Sequence, residues 1–172
     1  MRHLILIVAF CAVCSVSNLT SAQEPAPRYS IKQDNADTGS NIRRDVVSGS
    51  VIPLNKRYSE LTLEQQAQVR SQYESLGPND EPPFPLDGLG PIYKSIAAAQ
   101  QRLLVVGRLS VAVDISSQGE ATSVSVFDSP DPQMVKIVAS LLMAQMYKPA
   151  LCDGTPCQMK YPFRITFQTR TP

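Results

Sequence analysis

The sequence predicts an α+β domain, and three features of its last third predict it: two alternating strands joined by a short turn, a capped amphipathic helix, and a final alternating strand. A period of two followed by a period near 3.6 and then two again is the pattern of a sheet with a helix laid on one face.

In the first strand Leu109, Val111, Val113 and Ile115 alternate with Ser110, Ala112, Asp114 and Ser116. After a turn at Ser117, Gln118 and Gly119, a second run alternates Thr122, Val124 and Val126 with Ser123, Ser125 and Phe127. A short loop containing glycine between two such runs makes an antiparallel hairpin. Its serines, Ser110, Ser116, Ser123 and Ser125, are expected on a wet face.

Asp131 then supplies a carboxylate to the free N–H groups of a first helical turn, and Pro132 suits the first helical position, where no N–H is needed. Val135, Val138, Ala139, Leu142 and Met146 follow at spacings of three and four, widened by Met134, Ile137 and Leu141, with Gln133, Lys136 and Ser140 on a narrow polar side. This predicts a helix over 132–147, stopped by Pro149. In the last strand Met159, Tyr161, Phe163, Ile165 and Phe167 alternate with Gln158, Lys160, Pro162, Arg164 and Thr166. Pro162 cannot donate to a ladder, which predicts an edge strand or a bulge.

This run resembles the C-terminal domain of TonB, the energy transducer of Gram-negative bacteria. The residues that carry the resemblance are the strand pair from Gly107 to Ser129, the helix ending in Tyr147, Pro149 and Ala150 before the Gly154-Thr155-Pro156 turn, and the aromatic last strand. Upstream, Pro91, Ile92 and Tyr93 with the helical stretch after them are similar to that family's first helix, with Lys94 where the family has proline. The resemblance covers 88–169. It implies a small domain of three antiparallel strands packed against two helices, the first near 92–103. It also implies capture of an extended peptide, or of an outer-membrane receptor segment, by strand addition on the last strand, with contacts from Gln158, Lys160, Arg164 and Thr166, and a link to TonB-dependent transport. The family's membrane helix bears a functional histidine, whereas the one histidine here, His3, stands outside the apolar run.

The N-terminal half is organised differently. Arg2 and His3, the apolar stretch Leu4 to Val16, and Thr20-Ser21-Ala22 read as a cleavable signal peptide over 1–22, which predicts export to the periplasm. An uncleaved inner-membrane anchor is the alternative, although a spanning helix needs about 20 apolar residues. Residues 23–50 are polar and poor in aromatics, as in a disordered tether. In 51–87, Thr62 and Gln65 form a capping-box start for a short helix through Leu63, Ala67, Arg70, Tyr73 and Leu76. The prolines from Pro78 to Pro91 then make an extended connector, or a strap across the domain.

Chemistry is scarce. Cys11 and Cys14 lie in the signal, leaving Cys152 and Cys157 around a turn containing Gly154 and Pro156; in an exported chain such a pair is a structural disulfide. Without a histidine beyond His3 there is no Ser–His or Cys–His nucleophile and little to hold a metal, so neither enzyme nor cofactor is expected. A net charge of +1 gives no electrostatic basis for nucleic acid. The reading is a non-enzymatic periplasmic binding module with a protein or peptide partner. The alternative is a structural envelope protein that forms a homodimer, or assembles otherwise, through the same edge.

Overall fold

A computed structural model describes residues 52–168, together with Ile42 and the backbone of Ile31–Gln33. The expected signal peptide lies outside the described residues. In chain order the elements are β1 (Ile31–Gln33), α1 (Leu63–Arg70), β2 (Phe84–Pro85), α2 (Gly90–Leu103), β3 (Gly107–Ile115), β4 (Ala121–Asp128), α3 (Pro132–Met143), β5 (Tyr147–Lys148), β6 (Ala150–Cys152), β7 (Thr155–Cys157) and β8 (Met159–Phe167).

The α+β class is observed. β4, β3 and β8 form an antiparallel sheet in that order, and β1 adds a fourth strand parallel to β4, with Ile31 opposite Val124. The three antiparallel strands are as expected, and β1 joins them as a parallel strand from within the segment expected to be a tether. The hairpin turn is as expected. Gly119 has φ +84°, and a Cβ there would stand 2.1 Å from the Tyr147 carbonyl oxygen, so only glycine fits.

α3 begins where the sequence places it, with the Asp131 carboxylate accepting from the Met134 N–H at 2.7 Å. It ends at Met143, four residues short of the expected 147. Met146 is consequently 53% exposed instead of core, and Tyr147 takes its place: the buried ring donates its hydroxyl to the Leu142 carbonyl at 2.9 Å, satisfying a last-turn acceptor. α2 ends in a left-handed Leu104, φ 49°. The Gln100 side chain holds that corner by donating to the Val105 carbonyl and accepting from the Val105 N–H.

One face of the sheet carries Leu109, Val111, Val113, Ile115, Val124 and Val126, buried beneath α2 and α3 through Ile92, Ile96, Met134, Val138 and Leu142. The core does not stop at residue 88. Tyr58, Leu61, Val69 and Phe84 belong to the same cluster, and Phe84, 1% exposed, packs edge-on against Tyr161.

The 78–91 connector is a strap. Residues 81–86 run antiparallel along 146–151: Glu81 and Leu151 exchange both backbone hydrogen bonds, Phe84 and Pro85 register with Lys148 and Tyr147, and the Leu86 N–H reaches the Met146 carbonyl. Lys148 fastens it further, with its ammonium 3.0 Å from Glu81, 3.3 Å from the Pro82 carbonyl and over the Tyr58 ring.

The second face overturns one expectation. Ser110 and Ser125 are not wet but 6% and 3% exposed, and Ala112 between them is fully buried, because Ile42, Tyr73 and Leu76 pack over this face. α1 itself is capped by Thr62 and Gln65 as the sequence predicts, yet its buried residue is Val69, while Leu63 is 83% exposed.

Candidate functional site

The expected contact residues lie on β8, the terminal strand of the sheet among the described residues. β8 pairs with β3 along its whole length, with Lys160 opposite Asp114, Pro162 opposite Ala112, Arg164 opposite Ser110 and Thr166 opposite Arg108. Two observations assign these pairs to the set whose N–H and C=O groups point away from the partner strand. Pro162 has no N–H and sits in the series without interrupting the register. The Lys160 carbonyl, in the same phase, accepts from the Tyr73 hydroxyl at 2.9 Å. Pro162 therefore costs the ladder nothing, which is the physical reason a proline is tolerated inside a nine-residue strand.

The four residues do not form one exposed row. Gln158 is exposed just before the strand, and Thr166 is exposed near its end. Lys160 is committed within the fold: its ammonium lies 2.7 Å from the Asp114 carboxylate, which also accepts from the Ser123 hydroxyl. Arg164 is half-buried on the face under Tyr73. Burial pushes the Tyr73 hydroxyl far above its ordinary range, Tyr58 adds to the rise, and the Arg164 guanidinium opposes it. Tyr73 thus stays neutral and keeps its proton for the Lys160 carbonyl.

Between Val69 in the helix-side core and Tyr73 on the opposite face, the chain passes around the outer edge of β8 at Lys160. Covering an edge with a helix or loop is one way proteins stop unwanted pairing. The stretch of β8 left for a partner runs from Arg164 to Phe167, with Thr166 as its exposed member. Sequence reasoning missed Tyr73 and Asp114 as determinants of this edge. The only trace of Tyr73 was its place in the helical spacing from Leu63.

The cysteines stand as expected. Cys152 and Cys157 are disulfide-bonded with Cα atoms 5.8 Å apart, closing the β6–β7 hairpin over an Asp153-Gly154 turn in which both residues have positive φ. That is the two-residue turn an Asp-Gly pair favours. A cleft of about 500 Å³ opens between this hairpin and α1, lined by Tyr58, Gln66, Arg70, Asp80 and Glu81 among others. Its donors are engaged internally. Gln66 donates to the Tyr58 and Leu61 carbonyls, and Arg70 to those of Gly77 and Asp80.

Among the described residues no three His, Cys, Asp or Glu side chains gather closely enough to hold a metal ion, and no helix is long and apolar enough to cross a membrane. No protein-family model, no curated protein and no solved structure matches this chain.

Proposed function

We propose that this protein is a non-enzymatic binding module that takes up an extended peptide by strand addition on the outer edge of β8, in the manner of the C-terminal domain of TonB. The observation that carries this reading is that β8 ends the sheet among the described residues while its Pro162 phase turns backbone groups outward. Backbone hydrogen bonds along Arg164 to Phe167 provide affinity, and the exposed Thr166 and neighbouring side chains provide selection. Gln158 lies before the strand and Lys160 is held by Asp114, so both stand behind the site instead of in it. The disulfide accords with export to the periplasm, where a segment of an outer-membrane receptor is the partner this reading favours.

The test uses synthetic peptides covering the extended N-terminal segments of outer-membrane receptors, titrated by fluorescence anisotropy. Thr166→Pro removes an outward N–H without breaking a bond to β3, and weakens binding by about fivefold to tenfold, the worth of one hydrogen bond, with melting unchanged. Binding that survives this substitution undiminished overturns the site. A strand paired between two copies of the chain, seen as a concentration-dependent dimer that Thr166→Pro dissolves, favours an assembly role for the same edge.

A further inference from the structure

We infer that the Cys152–Cys157 disulfide is a redox-sensitive clamp on the Gly77–Glu81 turn, and through that turn on α1. The inference is independent of the peptide-binding reading, because it rests on contacts at the other end of β8.

The disulfide closes a hairpin whose tip is not idle. The Asp153 N–H, at that tip, donates to one oxygen of the Asp80 carboxylate at 2.8 Å, and the Asn79 side-chain amide donates to the Asp153 carboxylate at 2.9 Å. The other Asp80 oxygen accepts from the Gly77 N–H at 2.7 Å, folding the turn on itself. Arg70 at the end of α1 donates to the carbonyls of both Gly77 and Asp80. A continuous chain of contacts therefore runs from the sulfur bridge to Asp153, Asp80, Gly77 and Arg70. The same hairpin holds Glu81 through the paired backbone bonds to Leu151, one residue before Cys152.

The link is breakable by a dithiol reductant. Residues 152–156 are exposed, so a thiolate reaches the Cys152 sulfur from solvent. A dithiol reductant supplies two electrons and two protons: one thiolate attacks Cys152, Cys157 leaves and is protonated, and the second thiol closes on the first. Cys152 is released as a thiol and the reductant departs as a cyclic disulfide. Beyond the bond, the tip is a two-residue turn with left-handed Asp153 and Gly154, and a Cβ at Gly154 would meet no atom within 4 Å, so the tip is held by its hydrogen bonds to Asp80 and Asn79 and not by packing at Gly154. Two-stranded hairpins are marginal when isolated. With the bond cut, the tip frays, Asp153 leaves Asp80, and the turn loses its outer anchor.

The experiment is residue-resolved amide hydrogen exchange on the full chain in three states: oxidised, reduced with dithiothreitol, and Cys152→Ser/Cys157→Ser without reductant. The Asp153, Gly77 and Glu81 amides are expected to exchange about tenfold faster or more in the second and third states, with the Val111 and Val113 amides of β3 unchanged, as in a local opening. Reoxidation restores the slow rates. Unchanged rates at Gly77 and Glu81 after reduction overturn the clamp, because the hairpin then holds the turn by packing alone. Equal acceleration in β3 overturns it in the other direction, because the bond is then a staple for the whole fold.

Discussion

The two faces of the sheet are buried by opposite means, one along its length and the other around Ala112. On the helix face, Leu109, Val111, Val113 and Ile115 meet large apolar side chains from α2 and α3. On the other, Ser110, Ala112 and Ser125 are small, and Ile42, Tyr73 and Leu76 come down onto them. Large residues declare a helix-packing face, whereas small ones permit close approach and leave no such signature. A serine row on a strand thus reads equally as wet or as tightly covered, and only the covering segment decides.

The largest expected effect lies on the helix side, where the strap enters the core. Phe84→Ala, in the strap, is expected to cost about 3–5 kcal/mol, because it removes a buried aromatic from the shared core; chemical denaturation measures it. A loss under about 1 kcal/mol shows that the strap lies on the domain without belonging to it. Next in size, Lys160→Met leaves the Asp114 carboxylate without its cation and is expected to cost about 1.5–3 kcal/mol, the range for bonds to charged groups.

Tyr73→Phe keeps the ring over Ala112 and removes only the bond to the Lys160 carbonyl, at about 1 kcal/mol. It sharpens the comparison because it separates packing over the face from capping of the edge. Leu63→Ala, on the outer side of α1, should change stability by less than about 0.5 kcal/mol.

Asp80 gives the acid-side prediction. The Asp153 and Gly77 N–H groups hold its carboxyl below the usual carboxylate range. A depressed folded-state pKa contributes stability that is present at neutral pH and lost as pH falls through that pKa, below about pH 4. The melting-temperature gap between the parent and Asp80→Asn is therefore expected to close as pH falls through and below the ordinary carboxylate range, about pH 4.

Much of the C-terminal half was legible because its signals are local. Asp131-Pro132 marks a helix start, Gly119 the hairpin turn, Gly154 between the cysteines a second turn, although Pro156 lies in β7 and not in that turn, and Pro162 an edge strand. Met146 misled because helical spacing continues past the point where Tyr147 can reach back to Leu142. The cover was illegible for a different reason. Phe84 stands alone among prolines with no period to place it, and Tyr73 meets β8 across 87 residues of sequence. Within α1, the spacing that nominated Leu63 says nothing of Val69, which is the residue the core takes. At the candidate site, alternation separates Lys160, Arg164 and Thr166 from the apolar set but carries no trace of Asp114 or Tyr73, which fix how much of the edge stays open.

The measurement that tests most directly whether the covering layer and the sheet are one folding unit is a melt of two chains, one beginning at residue 52 and one at residue 88. The longer chain is expected to unfold in a single cooperative transition. The shorter, deprived of Tyr58, Val69, Tyr73 and Phe84, is expected to lose cooperative melting and its near-ultraviolet aromatic signal. A chain beginning at residue 88 that melts as sharply and at the same temperature contradicts the account.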